Sequence, residues 1–230
     1  MNCGLTFIGT NHYDLHGEDR LEKLLDYLKP QVITCEFTDE RKKERSLIQL
    51  KLSNALKEKG IDVPDIQKWL QMPPNSDYEL NMCESYSRKY NVPLSLIDLN
   101  SPIHKKIMEG NLEKAITQIT QLNKDKFHKI LRLCERHKGS FIYKKMFDFN
   151  SYNKRIIINT NERLPYTIIG ERDIYMKSRL DQVRKNNPNK KIIHVGGCRH
   201  VVKGRDCNKV NLISFFPSSE VYFLPIADSL

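Results

Sequence analysis

Two histidines stand at the same spacing from a glycine, Gly9-x-x-His12 in "FIGTNH" and Gly197-x-x-His200 in "VGGCRH". Random placement of 10 glycines and 7 histidines in 230 residues predicts about 0.3 such spacings, and the chain has two. Each one directly follows a short apolar run that is typical of a buried strand. Imidazole is a common metal ligand and a common proton carrier, so the pair predicts chemistry at the ends of two strands.

A metal site is the chemistry that we predict for these histidines. In an open parallel sheet, ligands bind in the crevice outside the carboxyl ends of the strands, and neighbouring strands lie about 4.8 Å apart. Glu36 ends the apolar run "VITCEF", where an unpaired carboxylate is costly to bury. His12, Glu36 and His200 offer nitrogen and oxygen ligands that suit a divalent metal ion, Mn, Co, Zn or Fe, without distinguishing among these ions. Three protein ligands leave a coordination position for a water nucleophile.

The segment "IGERD", residues 169 to 173, supplies the predicted catalytic groups. Glu171 and Arg172 fall in the first turn of a predicted helix. Glu171 is expected to act as a general base or as an extra metal ligand. Arg172 is expected to hold a substrate carboxylate or to stabilise an oxyanion through its planar fork of N–H groups.

Three further residues are predicted to bind substrate. Asn11 and Arg199 lie within the two histidine motifs, and Arg41 lies in the turn after the second strand. Arg199 could recruit an anionic substrate. Cys198, beside it, could be a thiol nucleophile, although no activating base is adjacent to it in the sequence.

Each assignment also has a structural alternative. A lone histidine beside a glycine is more often a turn or core residue than a ligand, and His194, inside a strand run, is expected to be a packed core histidine. Glu36 could simply pair with Arg41. Glu171 is also expected near a helix start because of the helix macrodipole.

The elements that would position these residues follow from hydrophobic periodicity. Runs rich in β-branched residues predict strands buried on both faces, at 5–9, 31–37, 93–99 and 191–197. Helical spacing predicts helices between them, at about 17–29, 76–92 and 168–186, with Ile174, Leu180 and Val183 of the last one turned inward. Glu79 could complete a capping box with Ser76 or Asp77 at the helix start. The tail "VNLISFFPSSEVYFLP" predicts two further strands around a Pro-Ser-Ser turn.

These patterns together predict an α/β fold, with a mostly parallel central sheet flanked by helices. We expect one domain over residues 1–230, with a helical insertion at about 103–165 that could cover a site. The chain is 39% hydrophobic, which is enough apolar material for a proper core.

Composition narrows the class of partner and the compartment. The net charge is +10, but the basic residues are dispersed and no RNA-binding aromatic motif is visible, which argues against a nucleic-acid partner. The six cysteines have no CxxC spacing, which favours reduced thiols in the cytoplasm. No signal peptide and no bilayer-spanning apolar segment is expected, and hence no membrane association. The oligomeric state is left open.

Five motifs in order resemble those of the TraB/TIKI family, part of a wider group with GumN-like, erythromycin-esterase-like and ChaN-like haem-binding proteins. The motifs cover most of residues 5 to 204: "FIGTNH", "KPQVITCEFTDER", "NVPLSLIDLN", "IIGERDIYMKSRL" and "IIHVGGCRHVVKG". The resemblance implies two related halves, each supplying a Gly-x-x-His, around a divalent-metal site. It assigns His12, Glu36 and His200 to the metal and Glu171 with Arg172 to the Glu-Arg pair. In the last motif, Cys198 and Arg199 stand where the family commonly has small residues. We also expect no membrane anchor of the kind that many members of the family have.

The resemblance also implies an activity, because TIKI proteins are metal-dependent peptidases. We therefore expect a metal-dependent hydrolase that acts on a peptide or small-molecule substrate. The alternative is a non-catalytic protein that sequesters a peptide or a haem-like ligand in the same crevice. A hydrolase is expected to lose turnover on metal removal, whereas a peptide binder is expected to retain its affinity.

Overall fold

The computed structural model describes residues 4–12, 14, 16–71, 77–100, 102–136, 166–201 and 211–224, although some helical side chains in these ranges are not described. The chain divides into two compact units. The first comprises Met1–Phe37, Tyr78–Leu99 and Gly139–Leu230, and the second comprises Thr38–Asp77 and Asn100–Lys138. The predicted metal ligands all belong to the first unit.

The first unit is built on a five-stranded parallel sheet. Its strands lie in the order β3, β2, β4, β1, β5, and every pairing is parallel. The strands are β1 (Leu5–Thr10), β2 (Val32–Cys35), β3 (Leu94–Leu96), β4 (Ile192–Gly197) and β5 (Glu220–Phe223). Because β1 and β4 are neighbours, the two Gly-x-x-His motifs leave the sheet side by side. The predicted α/β fold with a parallel sheet is confirmed.

Helices cover both faces of this sheet. They are α1 (Gly17–Leu28), α4 (Tyr78–Tyr90), α7 (Tyr166–Asn186) and α8 (Cys198–Val201). On one face, the leucines of α1 pack with Tyr78, Cys83 and other residues of α4 against Ile8, Ile33 and Val195. On the other face, Met176 and Leu180 of α7 pack with Phe7 and Ile192. Burial on both faces explains why the strand runs are almost wholly apolar.

Two details of the first unit differ from the sequence prediction. Ile174 is 59% exposed, and Met176 is the buried residue, because residues 176, 180 and 183 share a helical face whereas residue 174 does not. In the tail, Leu212–Phe215 forms a 3-10 helix and only Glu220–Phe223 forms a strand. Asn211 and Ser214 form a capping box that starts this helix, a local hydrogen-bonding option that competes with a strand.

The second unit is helical and has its own core. It contains α2 (Asp39–Glu58), α3 (Val63–Gln71), α5 (Pro102–Thr120) and α6 (Lys124–Arg136). Its buried residues include Leu56, Ile66 and Phe127, and Trp69 packs against this group. The insertion predicted over 103–165 is helical through α5 and α6, and residues 137–165 lie outside the described part of the chain. Within that described part, no helix has the length and apolarity needed to cross a membrane.

Candidate metal site at the carboxyl ends of the strands

The predicted ligands gather at the carboxyl edge of the sheet. His12 lies two residues after β1, Glu36 directly follows β2, and His200 is the third residue of α8, which directly follows β4. The N–H of Glu36 donates to the carbonyl of Val195, which aligns Glu36 with β4 (2.9 Å). Parallel pairing therefore brings residues from distant parts of the sequence to one place.

Gly197 marks the point where these side chains converge. A Cβ atom at this glycine would lie 3.5 Å from Glu36 Oε2, 3.6 Å from His12 Nε2 and 3.9 Å from His200 Cδ2. The absence of a side chain at Gly197 thus leaves a small space bordered by all three predicted ligands. His12, whose side chain is 54% exposed, forms the open side of this space, whereas Glu36 and His200 are buried.

Glu36 is the most heavily bonded residue of the cluster. Its Oε2 accepts the N–H of Gly197 at 2.7 Å, and its Oε1 accepts Arg172 Nη2–H at 2.6 Å. His200 Nε2 lies 3.1 Å from the same Oε1. Burial alone would raise the pKa of Glu36, but the charges of His200 and Arg172 hold this pKa well below its ordinary value. Glu36 is therefore a carboxylate anion at neutral pH.

Asp98 is a member of the cluster that the sequence analysis did not single out. Arg172 Nε–H donates to Asp98 Oδ1 at 2.9 Å, and Arg172 Nη2–H donates to Asp98 Oδ2 at 2.6 Å. Asp98 and Arg172 therefore form a bidentate salt bridge. This salt bridge directs the Arg172 guanidinium toward Glu36. The contact favours a role for Arg172 in positioning the Glu36 carboxylate over the predicted role in stabilising an oxyanion. The sequence contained a signal for Asp98, because an acidic residue is next to last in "PLSLIDL" just as Glu36 is in "VITCEF".

Each predicted histidine ligand has its own carboxylate on Nδ1. His12 Nδ1 lies 2.7 Å from Glu79 Oε1, and His200 Nδ1 is hydrogen-bonded to Asp173 Oδ1. Both carboxylates are buried. Glu79 was predicted as a capping-box residue, but its carboxylate contacts His12 instead. Asp173 follows Arg172 in "GERD", and no local pattern in the sequence indicates that its carboxylate faces α8.

Two pKa values in this cluster are raised, each for a different reason. Burial alone would lower the pKa of His200, but Glu36 and Asp173 raise it to about 10, so the metal-free protein holds His200 protonated at neutral pH. Burial raises the pKa of Asp173, against the opposing effect of His200. Asp173 Oδ2 is buried and has no hydrogen-bond partner among the residues that the structure describes.

His194 lies in β4, two residues before Gly196, and is fully buried, as expected of a core histidine. Its Nδ1 lies 3.0 Å from Thr34 Oγ1 on the neighbouring strand β2. Its Nε2 has no hydrogen-bond partner within the described ranges. Burial lowers the pKa of His194 to about 4, although Glu36 opposes this shift, so the ring is neutral at physiological pH.

The other predicted site residues that the structure describes are Glu171, Arg41, Cys198 and Asn11, and each lies in a different setting. Glu171 is exposed on α7, which begins at Tyr166, so Glu171 is not in the first helical turn. Arg41 belongs to the second unit, where its backbone N–H donates to Thr38 Oγ1 at the start of α2. Cys198 is half-buried and is not part of a disulfide. Asn11 is buried after β1, and its carbonyl accepts the Tyr78 hydroxyl at 2.9 Å. The side chain of Arg199 lies outside the description.

A second group of potential ligands lies in the helical unit. Among the described residues, Asp62, Asp65 and His128 are the set that brings three ligand atoms within 4.8 Å of one another. The ligand atoms of His12, Glu36 and His200 do not all lie within 4.8 Å of one another, although His200 Nε2 and Glu36 Oε1 are 3.1 Å apart. In the second group, His128 Nε2 lies 2.9 Å from Asp65 Oδ2, and Lys124 Nζ lies 2.9 Å from Asp62 Oδ2.

Comparison of the chain with models of protein families, with curated proteins and with solved structures finds no significant match in any of the three. The resemblance to the TraB/TIKI family therefore stays a prediction from the motifs. The functional argument depends on the geometry of the site.

Proposed function

We propose that this protein is a metal-dependent hydrolase of the peptidase type, with its metal ion held by His12, Glu36 and His200. One observation carries the proposal. Each of the two histidines has Nδ1 bonded to a buried carboxylate, Glu79 or Asp173. His12 Nε2 borders the space beside Gly197, and His200 Nε2 lies 3.1 Å from Glu36 Oε1. Histidines that bind metals almost always donate their other ring N–H to such a partner, which fixes the tautomer and the ring orientation.

The excess of negative charge in the cluster favours the binding of a cation. Four largely buried carboxylates, those of Glu36, Glu79, Asp98 and Asp173, surround a single guanidinium, that of Arg172. Buried carboxylates are costly unless they are paired or bound to a cation. In the metal-free protein, the proton on His200 supplies part of the missing positive charge. A divalent ion would replace that proton and compensate more of the negative charge.

The protein's own residues would prepare and orient this site. Arg172 and the N–H of Gly197 fix the Glu36 carboxylate from two sides, so that little reorganisation is needed when an ion binds. Glu79 and Asp173 fix the two imidazole rings. A divalent ion held there would act as a Lewis acid and provide a water nucleophile at neutral pH. The exposed side at His12 is where a substrate could approach.

The peptide substrate class is supported by the TraB/TIKI resemblance, which assigns the same two histidines and Glu36 to a metal site. The exposed Glu171 fits this scheme less well than the resemblance implies. Its role as a general base stays a prediction, and the variant Glu171→Gln tests it directly.

The test begins with the purified full chain loaded separately with Mn²⁺, Co²⁺ and Zn²⁺. We expect a stoichiometric ion by elemental analysis and cleavage of a mixed peptide library by mass spectrometry. His200→Ala is expected to lose both, and His128→Ala, a histidine of the helical unit, is expected to lose neither. Binding that persists in His200→Ala but disappears in His128→Ala would place the ion in the wrong unit and overturn the proposal.

The same experiment separates the sequestering alternative. A non-catalytic binder is expected to retain peptides on a column after chelation and to leave the library uncut. A hydrolase is expected to cut only when loaded with metal.

A further inference from the structure

His194 places a third imidazole beside Glu36, and neither the motifs nor the proposed function uses it. The ring is fully buried, and its Nε2 has no hydrogen-bond partner in the described part of the chain. Buried polar atoms are nearly always hydrogen-bonded or bound to a ligand. An unpartnered Nε2 inside a cluster of charged groups therefore indicates a missing ligand contact.

Gly196 keeps open the gap into which His194 points. A Cβ atom at this glycine would lie 2.8 Å from His194 Nε2 and 2.9 Å from Glu36 Oε2, closer than such contacts normally come. Because His194 and residue 196 lie on the same face of β4, any side chain at position 196 would separate the imidazole from the carboxylate. Glycine is thus the residue that lets both atoms border one space.

The bonding pattern of His194 matches that of the two predicted ligands. All three rings have a polar partner at Nδ1, which is Thr34 Oγ1 for His194. His194 Nε2 and Glu36 Oε2 border the same space at Gly196, and His200 Nε2 lies 3.1 Å from Glu36 Oε1. His12 Nε2 and Glu36 Oε2 both border the adjoining space at Gly197. With the Nδ1–H of His194 donated to the Thr34 hydroxyl, Nε2 carries the lone pair that a metal ion needs.

We propose that His194 Nε2 is an additional ligand to the metal ion, so that three imidazoles and the Glu36 carboxylate hold it. This inference rests on the proposed function and makes its site more specific. Three imidazoles with one carboxylate favour transition ions over Mg²⁺ and Ca²⁺, which prefer oxygen ligands.

Proton NMR of the Co²⁺-loaded full chain counts these imidazoles. Each histidine that binds Co²⁺ through Nε2 is expected to give one strongly shifted, exchangeable Nδ1–H resonance. The buried rings of His194 and His200 are expected to give two slowly exchanging resonances. The exposed ring of His12 is expected to give a third resonance that exchanges faster in D₂O.

Three variants assign the resonances. His194→Gln is expected to remove one slow resonance and to weaken Co²⁺ binding about tenfold or more in competition with a chelator. Thr34→Val, which removes the Nδ1 partner, is expected to shift or lose the same resonance. The matched control His128→Gln is expected to change neither the spectrum nor the affinity.

The possible outcomes distinguish this inference from the proposed function. A single slow resonance in the unaltered chain, with unchanged affinity in His194→Gln, would overturn the role of His194 and leave the hydrolase proposal standing. A chain that binds no Co²⁺ at all would overturn both. The resonance count needs no variant, so it decides the question even if His194→Gln fails to fold.

Discussion

Two groups of imidazole and carboxylate side chains occur in this protein, and they differ in how their atoms are used. At the edge of the sheet, His12 and His200 each have a buried carboxylate on Nδ1. His12 Nε2 borders the space beside Gly197, and His200 Nε2 lies 3.1 Å from Glu36 Oε1. In the helical unit, His128 Nε2 itself lies 2.9 Å from Asp65 Oδ2, and Asp62 is paired with Lys124. The ligand atoms of the helical group lie closer together, but both groups contain a direct imidazole–carboxylate pair.

The helical group also has a sufficient structural explanation. Asp62 and Asp65 lie at the start of α3, where acidic side chains and helix N-terminal N–H groups interact favourably. All three residues are exposed or half-buried, so their charges are stabilised by water. The sheet-edge group is buried and cannot be stabilised in this way. Under the proposed function, burial and the bonding of the second ring nitrogen are expected to be better guides to a metal site than distance alone.

The largest expected effect that tests this comparison concerns stability. Glu36→Gln removes the negative charge that buried Arg172 and His200 share, and breaking a buried ion pair in this way costs about 3–5 kcal/mol of unfolding free energy. Asp65→Asn removes an equally charged but half-buried group, and its cost is expected to stay below about 1 kcal/mol. Urea denaturation of both metal-free variants measures the difference. Equal costs would show that the two groups are alike.

Metal loading is expected to have the next largest effect. An ion present at about 100 times its dissociation constant stabilises the folded state by about 2.7 kcal/mol. We expect thermal unfolding to shift upward with Zn²⁺ or Co²⁺ and to return after chelation. His200→Ala is expected to abolish the shift, while Asp62→Asn is expected to retain it. The reverse pattern would assign the ion to the helical unit.

The carboxylates behind the histidines are expected to matter less, and unequally. Asp173→Asn is expected to weaken metal binding about 10- to 100-fold, because its partner His200 is buried and depends on this contact for its orientation. Glu79→Gln is expected to have a smaller effect, because His12 is half-exposed and its Nδ1–H can donate to water. Chelator competition measures both constants. A larger loss in Glu79→Gln would contradict this ranking.

The pH dependence of the metal-free protein is the smallest of these effects over a practical range. The pKa of His200 is raised to about 10 by its carboxylate partners, so its stabilising contribution is complete below about 6.5 and is lost as the pH rises toward 10. Between pH 7 and 8 we expect the unfolding free energy to fall by at most about 1.4 kcal/mol. His200→Gln is expected to reduce this slope, and an unchanged slope would show that another group is responsible.

Local patterns in the sequence were sufficient for much of the fold. The β-branched runs predicted β1 to β4, and the leucines of α1 and the glycine-histidine spacing were visible without a structure. The segment between residues 38 and 75 was not assigned, and it forms α2 and α3 with α5 and α6 in a unit of its own. Helix α2 has no clear apolar stripe, which explains why its periodicity gave no signal.

The sequence by itself determined that His12, Glu36 and His200 follow buried parallel strands, because strand runs and glycine exits are local features. It could not determine what holds these residues. Glu79, Asp173 and Arg172 become their partners, and Asp98 becomes the partner of Arg172, only through strand order and helix packing. These contacts join residues separated by 27 to 136 positions. The same packing left Glu171 exposed and buried His194 beneath Gly196. Chemistry at this site therefore depends on long-range contacts that no local pattern encodes.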